Sequence, residues 1–535
     1  MNSSKNKILA NFNFFLCKRM VYVLLVLILS ACATQGSSSG KDSLSFSYIE
    51  TTIDNLHAAI KNNQIDCVSI TQGFIQRIKK YDQVSSLNAI IYLNPNALSK
   101  ARALDKQYQI DGTMQKLHCV PVILKDNFDT ADMPTEAGSI ALQGSYPPDD
   151  AFMVKRLRQA GAIIIAKSNM AEWAFSPYNT ISSTHGETKN AYNLNRVPAG
   201  SSGGTASAIA ANFGIIGMGT DTGNSIRGPA SHLALVGIRS TIGVTSRDGI
   251  IPLLLNRDVA GPLMRNVKDT AIVFSIIAGY DTADPITITH KQHQVADYSK
   301  HLSVEGLRNV RLGVLREIYD PNTADQAVLS LFQSAIEDLK KAGAIVIDPI
   351  SIDDFSQLSK ATGFCSRFRY DINNYLKTLG EAAPVKTLQE VVEQKKFRPE
   401  NEGAMKWAMS IAADSKPSEQ TPPCIDVQGD PRRKALLDAV ITFMDKQKLD
   451  AIIYPSWSNP ARKLGDNDSP HGNNSPIIAP HTGQPAITIP MGFVDGNLPI
   501  GLQMLGRPFS EEKLFQYAYA YEQATHHRKP PLLFP

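Results

Sequence analysis

The sequence predicts an α/β protein, a large mixed twisted sheet covered by helices on both faces. Three observations carry that prediction. Strand-like and helix-like runs alternate through most of the chain, the pattern of a sheet crossed by helices. The 535 residues are 43% hydrophobic and 19% charged, which is the ordinary globular range. No tandem repeat with a period of about 20 to 50 residues is evident, so solenoids and propellers are not indicated. Segments on both sides of the least regular stretch are needed to complete the sheet, so residues 46–535 read as one domain with an insertion.

The N-terminus reads as a processing segment rather than part of the fold. Lys5, Lys7, Lys18 and Arg19 precede an apolar run at 21–29, the charged and apolar regions of an export signal. That run is far shorter than the roughly 20 residues that a spanning helix needs. It ends in Leu29, Ser30, Ala31, Cys32, which resembles the bacterial lipobox. Residues 1–31 are therefore expected to be a lipoprotein signal, and Cys32 the lipid attachment site. The following stretch to residue 45 contains Gly36, Ser37, Ser38, Ser39 and Gly40 and reads as a flexible tether with a reach of about 20 Å. The expected location is exported, anchored by lipid at the periplasmic face of a bacterial membrane, the outer one in a Gram-negative cell.

Helical periodicity at 49–61 and 70–81 opens the domain. Strands are then expected at 120–124, 162–166 and 215–218, with helices at 152–159 and 205–211 between them. The alternation resumes with strands at 310–314, 344–347 and 451–454 and helices at 324–341 and 434–447. Between 386 and 431 the pattern breaks down around Pro417, Pro422 and Pro423.

The net charge of +4 comes from the four basic residues of the signal, so the mature chain is near neutral. That argues against a nucleic-acid partner, which needs a concentrated basic surface. Beyond Cys17 and Cys32, four cysteines remain: Cys67, Cys119, Cys365 and Cys424. Disulfides with three possible connectivities are open, but a core of this size needs no staples, and free buried thiols are the expectation.

Two glycine-rich stretches carry the chemistry. One is Gly200, Ser201, Ser202, Gly203, Gly204; the other runs from Gly219 through Thr222, Gly223, Asn224, Ser225, Ile226 and Arg227 to Gly228 and Pro229. Glycines allow tight turns that expose consecutive N–H groups, as an oxyanion hole or anion nest requires. Neither stretch has the GxxxxGK pattern followed by Ser or Thr, nor GxGxxG, which argues against nucleotide binding. The residues around Ser225 also lack the second glycine of the GxSxG elbow. His185, His232 and His481 show no metal-ligand spacing, and neither a metal nor another cofactor is expected.

With Pro121, Val122, Ile123, Leu124, Lys125, Asp126, Asn127 placed before them, these stretches resemble the amidase signature family, whose members use a Ser, cis-Ser, Lys triad. The resemblance covers nearly all of the mature chain. It implies an amidohydrolase in which Ser225 is the nucleophile, Lys125 the base and Ser201 the bridging residue after a cis peptide bond. It further implies an oxyanion hole from the N–H groups of Thr222, Gly223, Asn224 and Ser225. Ser202, Asp126, Asn127 and Arg227 are expected to support these residues rather than to react. Lysine can act as a base only when neutral, so Lys125 should be buried, with a depressed pKa.

Where many family members carry a second glycine this chain has Asn224, which suggests a stiffer loop or an amide that reaches the substrate. The expected partner is a small-molecule amide, with specificity in segments 133–139, 172–178 and 386–431. Two alternatives are the ammonia-generating subunit of a tRNA-dependent amidotransferase and a catalytically silent binding lipoprotein. Nothing in the sequence addresses the oligomeric state.

Overall fold

The computed structural model describes residues 46–535; the expected signal, Cys32 and the tether lie outside them. From Ser47 onward the chain forms one compact unit. Its strands are β1 (Ile90–Leu93), β2 (Pro121–Lys125), β3 (Ile163–Ser168), β4 (Thr180–Ser182), β5 (Gly186–Thr188), β6 (Ile216–Asp221) and β7 (Val236–Arg239). They continue as β8 (Val259–Met264), β9 (Arg311–Leu315), β10 (Ile345–Ile350), β11 (Ala451–Pro455), β12 (Ala486–Val494) and β13 (Leu498–Leu505). Eleven form a single mixed sheet in the order β1-β3-β2-β6-β8-β7-β12-β13-β11-β9-β10, and β4 pairs with β5 apart from it.

The apolar runs at 120–124, 162–166 and 215–218 become three adjacent parallel strands, with β2 between β3 and β6. All three are buried throughout, which is why they read as continuous apolar runs rather than alternating ones. Lys125 and Asp221 terminate two of them at the same, C-terminal edge, the edge where open α/β sheets place their sites.

Strands β8 and β12 had no clear sequence signal because Gly261, Pro262, Pro490 and Gly492 interrupt them. Burial between neighbouring strands overrides those propensities. The first helix starts at Ile53 rather than at 49, because the Thr52 side chain caps it by accepting from Asn55 N. The second starts earlier than 70: Asp66 caps Cys67–Tyr81 by accepting from Ser69 N. The irregular stretch contains helices Leu388–Glu393 and Glu402–Met409. Their Leu388, Val391, Met405 and Ala408 share a buried cluster with Phe368, Ile372 and Leu376 of the helix Phe368–Thr378.

The cysteine expectation is overturned. Cys67 bonds Cys119 and Cys365 bonds Cys424, with Cα–Cα separations of 5.1 and 5.7 Å. Spacings of 52 and 59 residues along the chain concealed a proximity that packing alone creates. No helix among the described residues is long and apolar enough to cross a membrane.

Candidate active site

Lys125 closes β2 with its side chain fully buried. Its Nζ lies 2.7 Å from Ser201 Oγ and 2.7 Å from Thr220 Oγ1. Burial drives its pKa down to about 7, while the carboxylates of Asp258 and Asp221 pull the other way. Desolvation wins, so a large neutral fraction exists near neutral pH.

Ser201 follows a cis peptide bond from Gly200 and is held just before the helix Gly203–Ala210. Gly200 N donates to Pro177 O at 3.0 Å. Gly204 permits a close approach here, since an added Cβ would stand 2.1 Å from Asn169 O. Ser202 does not face Lys125. Its hydroxyl donates to Thr220 O at 3.2 Å and accepts from Thr220 N at 3.4 Å, which fixes the end of β6.

The loop after β6 is organised by Asp221. Its carboxylate accepts from Arg227 Nε at 3.1 Å, Arg239 Nη1 at 3.0 Å and Ile226 N at 3.2 Å. Burial raises its pKa, but Arg227 and then Arg239 outweigh burial and hold it down to about 2. Arg227 also donates to Gly223 O at 2.6 Å, so the guanidinium pins both ends of the loop. Thr222 Oγ1 donates to Asp258 at 2.5 Å. Among the described residues no protein acceptor takes the N–H of Gly223, Asn224 or Ser225, the condition that an oxyanion hole requires.

Lys125, Ser201, Ser202 and Thr220 thus lie together at one edge of the sheet. Asn127 donates to Thr220 Oγ1 at 3.1 Å and so shares an acceptor with Lys125. Asp126 turns away: its carboxylate accepts from Gly138 N at 3.0 Å, and burial raises its pKa against the pull of Lys167. Thr220, Asp221, Arg239 and Asp258 were not singled out in the sequence. Threonine and aspartate in a glycine-rich loop carry no signal apart from turn formation.

The family comparison decides the class: the amidase family profile matches residues 69–515. The chain belongs to the amidase family. A probable amidase of Arabidopsis thaliana is 32% identical over 528 residues, covering 95% of this amidase and 97% of that relative. A glutamyl-tRNA(Gln) amidotransferase subunit of Geobacter metallireducens is 33% identical, covering 89% and 97%. Among solved structures, native peptide amidase from Stenotrophomonas maltophilia superposes with a TM-score of 0.82 at 35% identity, covering 91% of this amidase and 99% of that chain.

Ser225, 5% exposed, lines a cavity of about 310 Å³. Apolar walls come from Phe175, Tyr178, Leu254, Phe364 and Trp407. The 172–178 segment and the 386–431 insertion therefore contribute, as expected. Segment 133–139 does not line it; Pro134 and Thr135 instead accept from the buried Lys167 ammonium. Leu253, Leu254, Phe364 and Pro476 come from segments with no sequence signal.

A second, more polar groove of about 610 Å³ shares Phe175, Pro177, Tyr178 and Ala404 with the first. One grouping of metal-ligating side chains was found among the described residues, Cys67, His118 and Cys119, with its sulfurs joined in a disulfide. It lies at the opposite end of β2 from Lys125. His232 is buried and its pKa is pushed down to about 3, so it stays neutral.

Proposed function

We propose that this amidase hydrolyses a carboxamide through an acyl-enzyme on Ser225. The observation that carries the reading is the buried Lys125 amine, 2.7 Å from the Ser201 hydroxyl, beside a loop whose serine opens onto an apolar cavity. Ser225 Oγ attacks the carbonyl carbon, its proton passes to Ser201 Oγ, and the proton of Ser201 passes to Lys125 Nζ. The oxyanion is held by N–H groups of the loop from Thr222 to Ser225. Lys125 returns the proton through Ser201 to the leaving nitrogen as the C–N bond breaks, releasing ammonia or an amine. Water then attacks the ester by the same relay and frees the acid.

The cavity supports an acyl group with a bulky apolar portion near the scissile bond, and the adjoining polar groove supports a longer chain. Together with the similarity to a peptide amidase, these features favour amides of short peptides ending in a large apolar residue. Cys32 would anchor the enzyme outside the cytoplasm, as the lipobox resemblance implies. The test is ammonia release from a panel of peptide, aryl and fatty amides by wild type and Ser225→Ala, with fluorophosphonate labelling alongside. Retained turnover in the variant refutes the assignment.

The similarity to glutamyl-tRNA(Gln) amidotransferase subunits favours a second reading, an ammonia-generating subunit that works with cytoplasmic partners. Recovery of the native protein from the cytosol in a stable heteromeric complex would select it.

A further inference from the structure

The geometry points to the side chain of Asn224 as a positioning residue that clamps the nucleophile loop to the cis-peptide loop, and to Gly228 as the residue that leaves room for it. The inference rests on the proposed reaction at Ser225. Asn224 stands directly before the proposed nucleophile and is 2% exposed. Its Nδ2 donates to Gly200 O, the carbonyl of the cis peptide bond, and to Pro177 O, each at 3.4 Å. Pro177 O also accepts from Gly200 N at 3.0 Å. One amide therefore ties the residue before Ser225 to the residue before Ser201.

The space that this amide occupies is borrowed from Gly228, one helical turn further on. Gly228 N donates to Asn224 O at 2.7 Å. A Cβ added to Gly228 would lie 2.4 Å from Asn224 Nδ2, a separation that real Cβ atoms essentially never show. It would also lie 3.0 Å from Trp457 Nε1, a tighter contact than most Cβ atoms make but a milder one than that with Asn224. A side chain at 228 must therefore displace the Asn224 amide from its two carbonyls. Glycine at 228 is needed here because asparagine is at 224.

Proton relay through Ser201 demands that the two serines keep their separation to a fraction of an ångström, since a misplacement of about 1 Å can cost roughly 100-fold in rate. A glycine before the nucleophile leaves that separation to the backbone. Asn224 adds a side-chain restraint across the gap. With Nδ2 set between two main-chain carbonyls, the amide is directed at the cis-peptide loop rather than at substrate.

The experiment is a double-mutant cycle of Asn224→Ala, Gly228→Ala and the combined variant, read by steady-state kinetics and by thermal unfolding of the full chain. Asn224→Ala should lower kcat by roughly 10- to 100-fold with KM changed less than about threefold. Gly228→Ala should do the same and lower Tm. In the combined variant the Asn224 amide is gone and only the 3.0 Å approach to Trp457 Nε1 remains, so Gly228→Ala should cost little beyond Asn224→Ala in either readout.

Wild-type kcat in Asn224→Ala, or kcat losses that multiply in the double variant, overturns the proposal. A KM effect without a kcat effect also overturns it and makes the amide a substrate contact. Absence of Ser225-dependent turnover in the wild-type enzyme sinks the functional reading instead, and the Tm cycle then reports the clamp by itself.

Discussion

Lys125 Nζ and Thr220 Oγ1 lie 2.7 Å apart at the ends of two neighbouring parallel strands, and the same threonine oxygen accepts from Asn127 at 3.1 Å. Thr220 thereby fixes the direction from which the lysine approaches Ser201. Replacing Thr220 with Val keeps the shape and removes the hydroxyl. We expect kcat to fall by roughly 10- to 100-fold, with Thr220→Ser restoring most of it. Equal activity of the valine variant would show that Lys125 needs no second partner.

The pKa of about 7 at Lys125 sets the acid limb of the rate profile. With the neutral amine as the proposed base, kcat/KM should rise with pH through about 7 and level off above it. A profile flat from pH 5 to 9 would exclude lysine as the titrating base.

The same depression opposes folding. In the unfolded chain the lysine titrates near 10.4, so between about pH 7 and 10 the unfolded state binds the extra proton and stability rises with pH. Lys125→Met should abolish turnover, flatten that rise and stabilise the fold at pH 7, since each tenfold weakening of proton binding is worth about 1.4 kcal/mol. Urea unfolding of both proteins at pH 7 and 9.5 measures it.

Asp221 counters two buried guanidinium groups, those of Arg227 and Arg239, at 3.1 and 3.0 Å. Asp221→Asn leaves them uncompensated, at a cost of about 3 to 5 kcal/mol. Its depressed pKa contributes stability that is present above about pH 4 and lost as pH falls toward 2. The variant should lack that acid dependence, as thermal unfolding between pH 5 and 2 will show.

Phe364 and Trp407 are 45% and 43% exposed at the cavity wall, and the bond from Cys365 to Cys424 restrains the chain beside Phe364. Removing it through Cys365→Ser and Cys424→Ser should cost about 4 kcal/mol by chain entropy for a loop of 59 residues. KM should rise for amides with bulky acyl groups more than for small ones. An unchanged preference would place substrate discrimination elsewhere.

Much of the site was legible because the chemistry is local in sequence. Lysine at the end of an apolar strand and serines inside glycine loops are each set by neighbouring residues. The central parallel strands were readable for the same reason, their burial on both faces leaving uninterrupted apolar runs. Only the tertiary structure could assign Thr220 to Lys125 across 95 positions, pair the four cysteines, or bring Phe364 and Pro476 to the wall beside Ser225. Those relationships depend on which backbones the sheet order places side by side, and no local pattern encodes a distance between segments that meet only after the core has packed.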